Sequence, residues 1–152
     1  MKKKIIIGIV SGLLLIQLFR IDKKNPPIQN GMDFLTITNA PIKIGTIIKT
    51  SCYDCHSNET SYPWYTNVAP ISWWTKHHIN EGRHELNFSE WGKYNTKRVN
   101  HKLDKCIELV EEGEMPMSSY TLIHKNAALN EEQKRLLIEW FGTLRNSDKA
   151  TL

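Results

Sequence analysis

Cys52-Tyr53-Asp54-Cys55-His56 decides how this 152-residue chain is read. The run is C-x-x-C-H, the attachment signature of a c-type haem. Each position has a task that other residue types perform badly. Two thiols can add across the two vinyl groups of the macrocycle and become thioethers. A spacing of two residues lets one turn of chain span both attachment points. The histidine follows at once, so its imidazole can rise beneath the ring and bind iron. Rival readings of a Cys pair want more than is present. A zinc site needs a second Cys or His pair at ligand spacing, and the chain has no second C-x-x-C. A thioredoxin-type dithiol belongs in a βαβ pattern, of which there is no trace. Cys52 and Cys55 are therefore the expected covalent haem attachment points, His56 is the expected proximal iron ligand, and haem c with its iron is the expected cofactor.

Around this motif the helical period of 3.6 recurs and strand alternation does not. Pro41 is suited to the first position of a helix carrying Ile44, Ile47 and Ile48 on one face and running into the Cys pair. A second helical stretch spans about Ile71 to Arg83 and carries Trp73, Trp74, His77 and His78. Ser89 can cap a short turn through Trp91. Val99, Leu103, Cys106, Ile107 and Val110 form the apolar stripe of a helix from about Thr96 to Glu112, ended by Gly113. Residues 114–129 read as a loop. Asn130 with Gln133 resembles a capping box, after which Leu136, Leu137, Trp140, Phe141 and Leu144 make the last stripe. The expected fold is all-α: a small cytochrome c-like helical domain around one covalent haem, preceded by an N-terminal hydrophobic helix.

Length and charge bound the rest. The organisation reads as a signal or membrane anchor over 1–20, a linker over 21–40 with breakers at Pro26-Pro27 and Asn30-Gly31, a haem-binding domain over 41–145 and a flexible tail over 146–152. The formal net charge is +4. Lys2, Lys3, Lys4 and Arg20 account for the whole surplus, because residues 1–20 hold no acid. The remainder balances, so no basic patch points to nucleic acid. Ile5 to Phe19 is a mostly apolar stretch behind a lysine run, shorter than the ~20 residues of a full span. No small-residue cleavage site follows it. An uncleaved anchor with lysines at both ends is expected. Because c-type haem is attached outside the bacterial inner membrane, the domain is expected to be exported, on the periplasmic side of the cytoplasmic membrane. Cys106, the third thiol, reads as a small buried hydrophobe.

The second axial ligand governs the chemistry, and the residues leave it open. Met115, held by Pro116 in a loop, is the expected distal ligand. Met117 and His78 are the alternatives. Trp64, Trp73 and Trp74 fall close together and suit a haem wall. Arg83 could pair with a haem propionate.

Cys52-Tyr53-Asp54-Cys55-His56-Ser57-Asn58-Glu59-Thr60, followed by Tyr62-Pro63-Trp64-Tyr65, resembles a bacterial haem-binding domain family of small mono-haem c-type cytochromes. The likeness continues through Glu81-Gly82-Arg83, Leu86-Asn87-Phe88-Ser89-Glu90-Trp91, Gly113-Glu114-Met115-Pro116, Tyr120 and Trp140. It implies one covalent haem in a tethered or exported domain. It also implies that Met115 occupies the family's Met-Pro position and that His78 matches a recurrent histidine. Position 117 is Met where that pattern often has Pro or another apolar residue. The expected function is one-electron transfer between redox partner proteins that the sequence does not identify. A haem-based gas sensor or a peroxidase-like enzyme, each with a displaceable distal ligand, is the alternative.

Overall fold

The computed structural model describes the backbone of residues 1–150 and the side chains of residues 1–147. Every regular element among them is helical. The eight α-helices are α1 (Lys2–Ile16), α2 (Phe34–Ile37), α3 (Ile42–Ser51), α4 (Tyr53–His56), α5 (Ile71–Glu85), α6 (Thr96–Glu111), α7 (Ser118–Thr121) and α8 (Glu131–Ala150). Short 3-10 turns lie at Trp64–Asn67, Phe88–Lys93 and Lys125–Ala127.

The helix starts follow from local chemistry. Asn130 and Gln133 close the expected capping box: Gln133 N donates to Asn130 Oδ1 and Asn130 N donates to Gln133 Oε1, both at 2.9 Å. Asn95 caps α6 by accepting from Arg98 N. The turn at Phe88–Lys93 is capped by Asn87, which accepts from Ser89 N, and not by Ser89 itself. Gly113, just past the end of α6, has φ +74, a conformation that side chains with a Cβ resist. Pro41 stands one residue before the helix, as the N-cap of α3.

Ile44, Ile47 and Ile48 of α3 meet Leu103 of α6 and Leu137 and Phe141 of α8 in one core. Within the stretch read as a linker, Phe34 is fully buried at the centre of that core, its ring against Phe88, Trp91 and Phe141. Asp33 anchors that segment twice. Its carboxylate caps α2 through Leu35 N and accepts from Tyr53 Oη at 2.9 Å. The stretch read as a loop between α6 and α8 carries α7 and the third 3-10 turn. Of the expected tail over 146–152, residues up to Ala150 continue α8, and residues 151–152 lie outside the described ones.

The expected membrane anchor is not supported. The apolar N-terminal helix exists, but α1 has 15 residues. At ~1.5 Å per residue that is about 22 Å, against a hydrocarbon layer of about 30 Å. Among the described residues no helix is long and apolar enough to cross a membrane. With no such helix among the described residues, the expected placement as a domain anchored on the periplasmic side of the cytoplasmic membrane is not supported. No residue of α1 is buried. Its end is tied down instead by polar contacts: Gln17 donates to Ala69 O at 3.0 Å and accepts from Ala69 N at 2.9 Å. Trp73 Nε1 donates to Phe19 O.

Candidate functional site

The C-x-x-C-H run sits where α3 breaks. Cys52 leaves helical geometry (φ −124, ψ −37), and α4 makes one further turn. Cys55 N and His56 N both return to Cys52 O, at 3.2 and 2.9 Å, so the turn wraps tightly on its first cysteine. Ser57 Oγ donates to Tyr53 O and locks the exit.

α5 packs directly on this turn. A Cβ at Gly82 would lie 2.7 Å from Cys55 O, so only glycine permits the approach. The approach also orients the histidine. His56 Nδ1 lies 2.9 Å from Gly82 O and 3.1 Å from Leu86 O. Both partners are carbonyl oxygens, which only accept, so Nδ1 carries the proton and Nε2 keeps a free lone pair. Burial holds the imidazole below its ordinary pKa, against the opposing pull of the two carbonyls. A buried, neutral imidazole with one nitrogen tethered is the form that ligates a metal.

His56 faces a cavity of about 340 Å³. Cys52, Cys55 and Cys106 line it, so all three thiols share one space. Burial pushes Cys52 and Cys106 up to about 12 and Cys55 up to about 11, which keeps them as neutral thiols. His78 of α5, and Met115, Met117 and Tyr120 from the segment around α7, line the same cavity. Phe88, Leu109, Val110, Leu129 and Phe141 make its walls largely apolar. Among the described residues no group of three or more His, Cys, Asp or Glu is placed to hold a metal ion by itself.

A family model described as a haem-binding domain matches residues 11–143. The chain belongs to the haem-binding domain family. No curated protein and no solved structure matches it.

The site of this haem-binding domain fits its cofactor. An apolar cavity keeps a flat macrocycle dry, and the free Nε2 of His56 is a ready iron donor. Two sets of hydrogen bonds stand behind the site. Asn58 N donates to Ser89 Oγ, Asn87 Nδ2 donates to Asn58 Oδ1, and Arg83 donates to Ser57 O, Asn25 Oδ1 and Thr60 Oγ1 at 2.7 to 2.8 Å. Arg83 is thus committed to the scaffold and does not line the cavity, so it is placed neither for a propionate contact nor as a freely solvated surface arginine. The tryptophan expectation also fails: Trp64 is 77% exposed, Trp73 and Trp74 are exposed, and none of the three lines the cavity. Phe88, Phe141 and Tyr120 form the aromatic wall instead.

His78 does lie one turn from Trp74, its ring 4.1 Å from the indole and its Nδ1 2.9 Å from Trp74 O. Tyr120 stands out in the sequence only by resemblance, with no role attached. Its hydroxyl donates to Asp54 Oδ2 at 2.7 Å, which ties α7 to the middle of the C-x-x-C-H turn. Its ring stacks on His124, whose Nε2 is 2.8 Å from Tyr65 Oη. No sequence period connects positions 54 and 120. Lys102 and His101 on α6 also line the cavity, on the flank of the stripe that marks the buried face of that helix.

Proposed function

We propose that this chain is a c-type cytochrome domain, in which Cys52 and Cys55 hold one haem by thioether bonds, His56 is the proximal ligand and Met115 the distal one. The observation that carries this reading is the tethered His56 imidazole, with Nε2 free, in the same apolar cavity as both cysteines of its motif and Met115. The bound haem supplies an iron centre that takes up and gives back one electron. The protein's own part is to position and to exclude. α5 holds the imidazole in one tautomer, burial keeps Cys52 and Cys55 as neutral thiols until the haem is attached, and the aromatic wall keeps water out. With both axial positions filled no substrate bond is needed, which favours a one-electron carrier serving redox partner proteins.

His78, Met115 and Met117 all line the cavity, and this surplus of donors favours a second reading, a gas-sensing or peroxidase-like site whose distal ligand is displaceable. Two measurements test the proposal. Haem should remain with the polypeptide through denaturing electrophoresis, and a Cys52→Ala, Cys55→Ala double variant should lose it. A double variant that still carries covalent haem sinks the attachment. Carbon monoxide binding to the folded, unmutated protein moves the function from carrier to sensor or peroxidase.

A further inference from the structure

Among the described lysines that form an ion pair, Lys102 is the most sheltered and has the longest contact. Its side chain is 12% exposed, far less than the ion-paired Lys43, Lys93 or Lys105. Its ammonium has three donors. Among the described residues it makes no hydrogen bond, and its nearest anion is Glu85 Oε2 at 3.7 Å. Glu85 is itself 69% exposed, so it is a solvated and loosely held partner. The other ion-paired lysines do better: Lys43, Lys93, Lys105 and Lys134 each reach a carboxylate at 2.6 to 2.9 Å. A desolvated ammonium on an apolar wall is costly unless an anion completes it. Lys102 lines the same cavity as His56 and both attachment cysteines.

We propose that Lys102 is the docking point for a carboxylate of the bound macrocycle. This rests on haem occupying the cavity. Haem is a large apolar ring with two carboxylate side chains on one edge, and a largely apolar cavity with one underused, sheltered cation complements that pattern. The other basic groups nearby are less suited. Arg83 commits its Nε–H and both Nη2 hydrogens to Ser57, Asn25 and Thr60, and it does not line the cavity. Lys105 is half exposed and closed on Glu108 at 2.7 Å. Lys102 therefore turns the carboxylate edge of the ring toward α6, and it favours a ligand with free acids over one without.

The test uses the full-length apoprotein titrated with iron protoporphyrin IX and, separately, with its dimethyl ester, followed by the Soret band in one buffer. Wild type should bind the free acid about tenfold more tightly than the ester, the scale of one charge-assisted hydrogen bond. Lys102→Met should bind both equally, and Lys102→Arg should keep the preference. Lys105→Met should keep it as well. Ester binding of Lys102→Met at wild-type strength demonstrates that the variant is folded. A wild type without preference, or a Lys102→Met variant that retains it, overturns the proposal while leaving haem binding intact. Uptake of neither compound by wild type removes the haem reading and this proposal together.

Discussion

Replacing Gly82 by alanine tests whether α5 orients His56, the proposed iron ligand. The added methyl would lie 2.7 Å from Cys55 O and 3.2 Å from Cys55 C and Cβ. Backbone atoms cannot swing aside as a flexible side chain would, so α5 must retreat from the C-x-x-C-H turn. That overpacking costs about 1–3 kcal/mol. Retreat also stretches the His56 Nδ1 contacts to Gly82 O and Leu86 O, which start at 2.9 and 3.1 Å. Losing the better of them costs about 1 kcal/mol. Opposing both, alanine in place of a helical glycine gains about 1 kcal/mol. The net expectation is a loss of about 1–3 kcal/mol, or roughly 2–4 °C of Tm per kcal/mol in a chain of this size. Gly142, in α8, is the control, since a methyl added there would meet nothing within 4 Å. Gly142→Ala should gain up to about 1 kcal/mol from helix propensity alone. Urea unfolding of the apoproteins should move the two midpoints in opposite directions. A Gly82→Ala protein as stable as wild type, with unchanged haem affinity, would refute the coupling between α5 and His56.

Tyr120→Phe removes the 2.7 Å bond to Asp54 Oδ2 and should cost about 1–2 kcal/mol by urea unfolding. It should also loosen the segment bearing Met115 and Met117, so the reduced protein should bind carbon monoxide faster; an unchanged rate removes the latch role. If Met115 is the distal ligand, Met115→Ala should abolish the weak long-wavelength sulfur-to-iron band and lower the potential, whereas Met117→Ala should do neither. Loss of that band in Met117→Ala would reassign the sulfur, and its absence from wild type with opening by His78→Ala would assign the imidazole. Apoprotein stability should fall at both ends of the pH range. His56 is held below its ordinary 6.5, so as pH drops below about that value the unfolded chain binds the proton first and is favoured. Cys52 and Cys106 are pushed up to about 12 from 9.0, so above about pH 9 the unfolded chain ionises first and is again favoured. Urea midpoints against pH should show both limbs, with His56→Gln flattening the acid one and Cys106→Ala reducing the alkaline one.

Helix faces are legible in the sequence, and contacts between distant segments are not. The stripe Val99, Leu103, Cys106 and Val110 marks α6, and the Asn130–Gln133 pair marks the start of α8, because both signals are local and periodic. Phe34 lies between breaker residues with no period to announce it, yet it fills the centre of the core. The C-x-x-C-H motif names the chemistry of His56 but says nothing of Gly82 O and Leu86 O, which choose its tautomer from 26 and 30 residues away. Tryptophan clustering misleads because adjacency in sequence does not specify which side of α5 faces the cavity. Trp73 instead spends its indole N–H on Phe19 O at the end of the N-terminal segment. The apolar run at the N-terminus does form a helix. What it lacks is length: its fifteen residues fall short of a bilayer.

The double carbonyl tether of His56 means that much of the work of receiving the cofactor is finished before the cofactor arrives. The ring is already oriented, in one protonation form, by hydrogen bonds that belong to the folded apoprotein. Rotational freedom that a loose histidine would surrender on binding iron is surrendered during folding instead. Haem affinity and apoprotein stability therefore share a common origin at the C-terminal end of α5. Lesions there, remote in sequence from the C-x-x-C-H run, should first be noticed as a lowered haem content rather than as an altered spectrum of the haem-loaded protein.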